Sequence, residues 1–458
     1  MPETYDAIVI GTGQSGPPLA GRLTEAGMRT AVIERKHPGG TCVNVGCVPT
    51  KTLVASARVA HLARRAADYG VDTGKVQVDM KRVKARKDEV SLRSRTGVTK
   101  WMEELPNAKF YRGHARFEAP HRVRIGGDVL EAERIFINTG GRASVPDMPG
   151  VRDVPYLTSS GMLDLDVLPE HLVVVGGSYI GLEFAQMYRR FGSAVTVIEM
   201  GERLIRREDP DISDAIREIL EGEGIQVRLN AECIALERDG AGIAVNLDCG
   251  EEPARVRGSH LLLAVGRTPN TDDLGADAAG IALDKRGYIT VDDELRTNVP
   301  GIWAIGDCNG RGAFTHTSYN DYEIVAANLL DGEHRRVSDR IPCYGLFIDP
   351  PLGRIGATEQ EVRSSGRKAL VAKLPMRAVG RAKEMGETQG FMKVVVDAES
   401  RSILGAAFLG IGGDEVVHVL LDTTYAKAPY TVIERAMHIH PTVSEYLPTL
   451  FGNLEPLT

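Results

Sequence analysis

The chain is poor in cysteine, with six thiols in 458 residues. They are too few and too scattered for a structural disulfide framework. In a reducing compartment, a disulfide made from such thiols is usually catalytic or redox-sensing. Long apolar runs are missing as well. Segments such as "LVVVGG" have strand length, far short of the ~20 residues a membrane helix needs. There is no basic excess: the net charge is -7, which gives no electrostatic footprint for nucleic acid or an anionic membrane. The first residues enter "YDAIVIG" directly, without the basic stretch, apolar core and cleavage site of a secretory leader. A cytoplasmic protein is therefore expected.

What is present is an α/β pattern. A length of 458 residues exceeds one ordinary core and implies roughly two to four domains. "YDAIVIGTGQSGPPLAGRL" reads as buried strand, glycine turn and helix, and "MRTAVIER" as the next strand. "HLVVVGGSYIGLEFAQMYRRFGSAVTVIE" repeats the plan, and Gly11 to Glu34 and Gly176 to Glu199 both span 23 positions. Two βαβ units predict two Rossmann-like three-layer domains. "GRTPN" and "TNVPGIWAIGDC" suggest that the chain returns to the first sheet. From about residue 341, alternating strands and then helices predict an α+β domain with its own core. The expected divisions are 1–148 with 266–338, then 149–265, then 339–458. The basic stretch "KVQVDMKRVKARKDEVSLRSRTG" reads as a solvated helix face.

Gly11, Gly13 and Gly16 complete a G-x-G-x-x-G turn, which lets a pyrophosphate approach the backbone and the amides of a helix N-terminus. Glu34 closes the second strand, where a carboxylate accepts from ribose hydroxyls. In the second unit Gly176 and Gly181 hold their places, and Ser178 replaces the middle glycine. Glu199 would repel a 2′-phosphate and so favours NADH over NADPH, while Arg203, Arg206 and Arg207 pull the other way.

Cys42 and Cys47 stand five positions apart in "GGTCVNVGCVPTK". Helical rise would separate them by roughly 7.5 Å along the axis, beyond the usual disulfide Cα separation of about 4.4–6.8 Å. Either they are unrelated thiols, or Gly46 and Pro49 let the first helical turn deform so that they meet. In "HIHPTVSE", His440 and Glu445 flank Pro441. An imidazole with a carboxylate to orient it suits proton shuttling in thiol–disulfide exchange. His438 and His440 have no nearby third ligand, so no metal site is expected. Cys233, Cys249, Cys308 and Cys343 are isolated and expected to be inert.

Together "GGTCVNVGCVPTK", the paired βαβ units, "GIWAIGDC" and "HIHPTVSE" resemble the flavoprotein disulfide reductases, over essentially the whole chain. That group includes dihydrolipoamide dehydrogenase, glutathione reductase and mercuric reductase. The resemblance implies FAD in the first unit and NAD(P)H in the second. It makes Cys42–Cys47 the redox-active disulfide, with Cys42 reaching substrate and Cys47 facing the flavin. Lys51 would sit near the flavin N5, paired with Glu183, and Tyr179 would lie where the nicotinamide stacks. Gly40, Thr41, Ala115, Thr139, Gly140, Gly306, Asp307 and Thr315 would complete the FAD site, and Ile180 and Gly266 the NAD(P) site. His440 and Glu445 would come from the neighbouring subunit, which implies a homodimer with a shared active site.

"TGGRASVP", "PPLGRIGATE" and "HPTVSEYLPTLF" look closer to the mercuric-reductase-like and reactive-chlorine-induced branch. Against mercuric reductase itself, the end "LFGNLEPLT" has no vicinal cysteines, and no N-terminal C-x-x-C domain is seen. The expected activity is reduction of a disulfide or another soft electrophile. Alternatives are a metal-ion reductase acting on Hg(II) or Cu(II), dihydrolipoamide dehydrogenase, and a non-catalytic NADH-responsive module.

Overall fold

The computed structural model describes residues 1–248 and 253–457. Its first sheet is built on Glu3–Ile10, whose inner residues Ala7, Ile8 and Val9 are wholly buried, as a strand covered on both faces requires. This strand pairs in parallel with Thr30–Glu34 on one side and Asp128–Ile137 on the other. Ala108–Arg112 extends the sheet beyond Thr30–Glu34. Ile302–Ala304 joins Asp128–Ile137 in parallel, so the chain does return to its first sheet.

The second sheet is all parallel, in the order Gln226–Arg228, Ala194–Ile198, His171–Val175, His260–Leu263. Helix Tyr179–Phe191 covers it and is buried around most of its circumference, and Gly192 ends it. Between the two sheets the chain crosses twice, and Gly141–Ala143 and Arg267–Pro269 pair antiparallel as a short ribbon. The last sheet is antiparallel, with six strands including Leu352–Gly356, Phe391–Asp397 and Ile403–Leu409. Helix Gly413–Tyr425 packs its apolar stripe against it. Ala115–Ala119 and Arg122–Ile125 add antiparallel strands to the first sheet, so it is mixed, with a parallel centre. Two α/β units and an α+β unit are thus the architecture read from the sequence.

The basic stretch is helix Met80–Glu104, capped by Asp79, whose carboxylate accepts from the amides of Lys81 and Arg82. It is mostly solvated, but Lys87 is buried and pairs with Asp88. Cys249 lies outside the described residues. Among those described, no helix is long and apolar enough to cross a membrane.

One side-chain network joins the second and third units. Along helix Tyr179–Phe191, Glu183, Gln186 and Arg190 share a face, as i, i+3 and i+7 must. Glu183 accepts from the amide of Phe347 at 3.1 Å, and Gln186 exchanges two hydrogen bonds with the backbone of Asp349. The Asp349 carboxylate bridges Arg190 and Arg58, and these arginines continue to Glu223 and Glu387. Burial alone would raise the Asp349 pKa, but the two guanidinium charges overcome it and hold the carboxyl below the usual range.

Candidate active site

The two glycine turns lie at the carboxyl ends of their parallel strands, where open α/β sheets bind ligands. Gly11 has φ +105°, and a Cβ there would stand 2.2 Å from the carbonyl oxygen of Asn138. No other residue fits. Glu34 fixes the turn by accepting from the Thr12 amide at 3.0 Å and the Thr12 hydroxyl at 2.6 Å. Glu199 does the same in the second unit, accepting from the amides of Gly177 at 2.6 Å and Gly201 at 2.8 Å. Each carboxylate therefore holds its own loop. Ser178 sits in extended backbone at the start of its helix, so the missing middle glycine costs no backbone strain.

Around the first turn, Gly40 backs directly onto Gly13, and Thr41 follows in the same short helix. Gly306 begins the turn that carries Asp307. Asp307 is raised in pKa by burial, with Arg267 3.7 Å away. Thr139, before Gly140, has a buried hydroxyl without a partner. Ala115, itself buried, begins the strand Ala115–Ala119. Gly266 and Ile180 flank the second turn, after His260–Leu263 and at the start of Tyr179–Phe191.

The Cys42 and Cys47 segment does not form one deformed helix. The chain makes a six-residue helix, Gly40–Val45, breaks at Gly46, and restarts as Cys47–Arg64 with Pro49 in its first turn. A Cβ on Gly46 would lie 2.8 Å from the Thr41 carbonyl and 3.2 Å from the Cys42 Cα. The glycine thus lets the second helix fold back on Cys42. The two cysteines are thereby close enough for each to shift the protonation of the other.

The pair is asymmetric. The neighbouring Cys42 thiol lowers the pKa of the exposed Cys47, with the Thr315 hydroxyl and the Lys51 charge adding to the effect. The Thr315 oxygen is 3.0 Å from the Cys47 sulfur. Cys42 is pushed up by the neighbouring Cys47 thiol and by burial. The group poised to be a thiolate is Cys47.

Lys51, one turn into the same helix, meets both Glu183 oxygens at 2.8 and 2.6 Å. Its ammonium also stands 4.5 Å from the centre of the Phe347 ring. Tyr179, half-buried, packs edge-on against Phe314 and Tyr344. At the far end His440 Nδ1 is 2.8 Å from Glu445 Oε2, and the imidazole is 81% exposed. The His440–Pro441 peptide is cis. His440 therefore touches little of its own chain. Cys308 is wholly buried, which pushes its thiol up to about 12, and Cys343 is raised by burial too. Both stay protonated near neutrality.

Three features were not singled out from sequence. They are the contact of Thr315 with Cys47, the aromatic wall of Phe314 and Tyr344, and the Asp349 network. None carries a local motif.

The family model described as pyridine nucleotide-disulphide oxidoreductase matches residues 5–321, and the model of its dimerisation domain matches residues 343–451. The probable pyridine nucleotide-disulfide oxidoreductase RclA of Escherichia coli is 38% identical over 457 residues, covering 98% of this chain and 99% of that protein. The Cu(II) complex of the HOCl-induced flavoprotein disulfide reductase RclA from Escherichia coli superposes with a TM-score of 0.90, at 37% identity, over 99% of both chains. Mercuric reductase of Bacillus cereus is 32% identical over 416 residues, covering 90% of this chain and 66% of that protein. The dimerisation domain supports a homodimer. The chain therefore belongs to the pyridine nucleotide-disulphide oxidoreductase family, flavoprotein disulfide reductases that use FAD and NAD(P)H.

Proposed function

We propose that this enzyme uses NADH to reduce a disulfide or another soft, thiol-reactive electrophile through the Cys42–Cys47 pair. The observation that carries this is the meeting of Cys42 and Cys47 at the Gly46 break, with the Thr315 hydroxyl 3.0 Å from the Cys47 sulfur and the Lys51 charge beside it. One thiol is thereby prepared to face an electron donor and the other to engage the acceptor.

The residues fit both cofactors. The orphaned Thr139 hydroxyl and the partly exposed Asp307 carboxyl lie beside the Gly11–Gly16 turn, where a ribityl chain and pyrophosphate need polar partners. The chemistry FAD supplies when bound is two-electron transfer from reduced nicotinamide to a disulfide. In the domain assignment we adopt, residues 1–148 and 266–338 hold FAD, 149–265 hold the dinucleotide, and 339–458 form the interface. Lys51 and Glu183 set the charge beside the flavin, and Tyr179 covers the nicotinamide position. The NADH preference rests on the Glu199 carboxylate, opposed by the exposed Arg206.

In the oxidative step, oxidation of the dithiol to the disulfide releases two electrons and two protons. A disulfide acceptor takes up both to give two thiols. His440, oriented by Glu445 and supplied by the partner subunit, carries the protons. A second acceptor class, Cu(II), is favoured by the Escherichia coli relative having been solved as a Cu(II) complex. There two Cu(II) ions take one electron each and the protons pass to solvent.

The test is NADH and NADPH oxidation by the FAD holoenzyme with lipoamide, glutathione disulfide, Cu(II), Hg(II), a quinone and oxygen. Turnover with a disulfide or metal ion that Cys42→Ser abolishes supports the reading. Turnover with oxygen or quinone alone, unaffected by Cys42→Ser, overturns it.

A further inference from the structure

The Tyr179 ring is enclosed by side chains from three separate parts of the chain. Phe314 and Tyr344 present their rings to it at 5.6 and 5.5 Å, nearly perpendicular. These two rings are parallel to one another, 5.6 Å apart and tilted by 10°. The guanidinium of Arg207, an exposed side chain, lies 5.1 Å from the centre of the Tyr179 ring and 6.0 Å from that of Tyr344.

Tyr344 is anchored and Tyr179 is not. The Tyr344 hydroxyl donates to Glu208, a buried carboxylate that faces Arg354 at 3.6 Å. Next to it, Lys393 ties Asp209, Asp211 and Glu359 together across the junction between the second and third units. The Tyr179 hydroxyl, by contrast, is buried without a partner of good geometry. Its resting place is therefore penalised at the hydroxyl and favoured at the ring. Removing a ring contact should tip the balance toward release.

We propose that Arg207 and Tyr344 are positioning residues that hold the Tyr179 ring in its resting place, with Glu208 anchoring Tyr344. This rests on the reading of Tyr179 as the ring that nicotinamide must displace. The held ring competes with the incoming nucleotide, so the apparent affinity is reduced by the fraction of enzyme in which Tyr179 is released.

The experiment is rapid mixing of FAD holoenzyme with NADH, reading the apparent Kd and the limiting rate of flavin reduction. Arg207→Gln and Tyr344→Phe should each lower the apparent Kd about threefold to tenfold, with the limiting rate within about twofold. Arg207→Gln, at an exposed site, keeps the test open if Tyr344→Phe folds poorly. In a Tyr179→Ala background neither substitution should change the Kd further. An equal effect in that background makes their role merely structural and overturns the proposal. A raised Kd in Arg207→Gln makes Arg207 a nucleotide ligand instead, which also overturns it. If Tyr179→Ala alone leaves the Kd unchanged, the assignment of Tyr179 itself fails, and the inference with it.

Discussion

Lys51 and Glu183 form a two-point ion pair across 132 residues of sequence, with the carboxylate 6% exposed and the lysine 36% exposed. A charge-assisted contact of this kind is worth about 1.5–3 kcal/mol when a partner is removed. Glu183→Gln keeps an acceptor for the Phe347 amide but takes away the counter-charge. Flavin reduction by NADH should slow roughly tenfold to a hundredfold, measured by stopped-flow absorbance on enzyme whose melting temperature confirms folding.

The Cys47 thiol gives a pH signature. Donors to the sulfur favour its charged form, so in reduced enzyme the faster-alkylating thiol titrates below an ordinary cysteine. Thr315→Val removes one donor, which favours the neutral thiol and moves the titration upward. The midpoint of iodoacetamide reactivity against pH should rise by roughly one pH unit. An unchanged midpoint removes Thr315 from the account.

His440 and Glu445 serve the acceptor half of the cycle in our reading. His440→Ala should lower acceptor turnover by about 10²–10⁴-fold and leave flavin reduction by NADH intact. The shared site is tested by mixing subunits. A dimer of one Cys42→Ser and one His440→Ala chain should recover activity, because one of its two sites is then complete. No recovery in mixed dimers places both groups in one subunit.

Asp349 supports stability with a defined sign. Its folded pKa is depressed by Arg190 and Arg58. Its contribution is therefore present above the unfolded carboxylate range and is lost as pH falls through the folded value. Asp349→Asn leaves two arginines without their shared counter-charge and should destabilise by about 3–5 kcal/mol. It should also flatten the fall in melting temperature below about pH 4. Differential scanning fluorimetry of the holoenzyme from acid to neutral pH reads both effects.

Several of these features were legible in the sequence because they are local. The Gly11 and Gly176 turns depend on a strand, a tight turn and a helix within one βαβ unit, and their residue types are dictated by close backbone approach. His440 and Glu445 are near neighbours, so their pairing needs no knowledge of the fold. Lys51 and Glu183 pair at long range, and only the family resemblance joins them. The break at Gly46 was half legible: the spacing of Cys42 and Cys47 required a distortion, but not two separate helices. Tyr344 with Glu208, and Asp349 with Arg58 and Arg190, are set by how three units meet. Neither periodicity nor turn chemistry encodes such meetings.

The Asp349 network bears on how such enzymes can be recombined. By topology the last unit is a cassette that a single cut near residue 340 would free. By charge it is not. A chimera taking everything after that cut from a relative would replace Asp349 and Glu387 together and leave Arg58, Gln186 and Arg190 behind, fitted to different neighbours. Shuffling at this junction requires that Arg58, Gln186 and Arg190 meet matching partners at positions 349 and 387, so the seam that looks easiest to cut is held by charge.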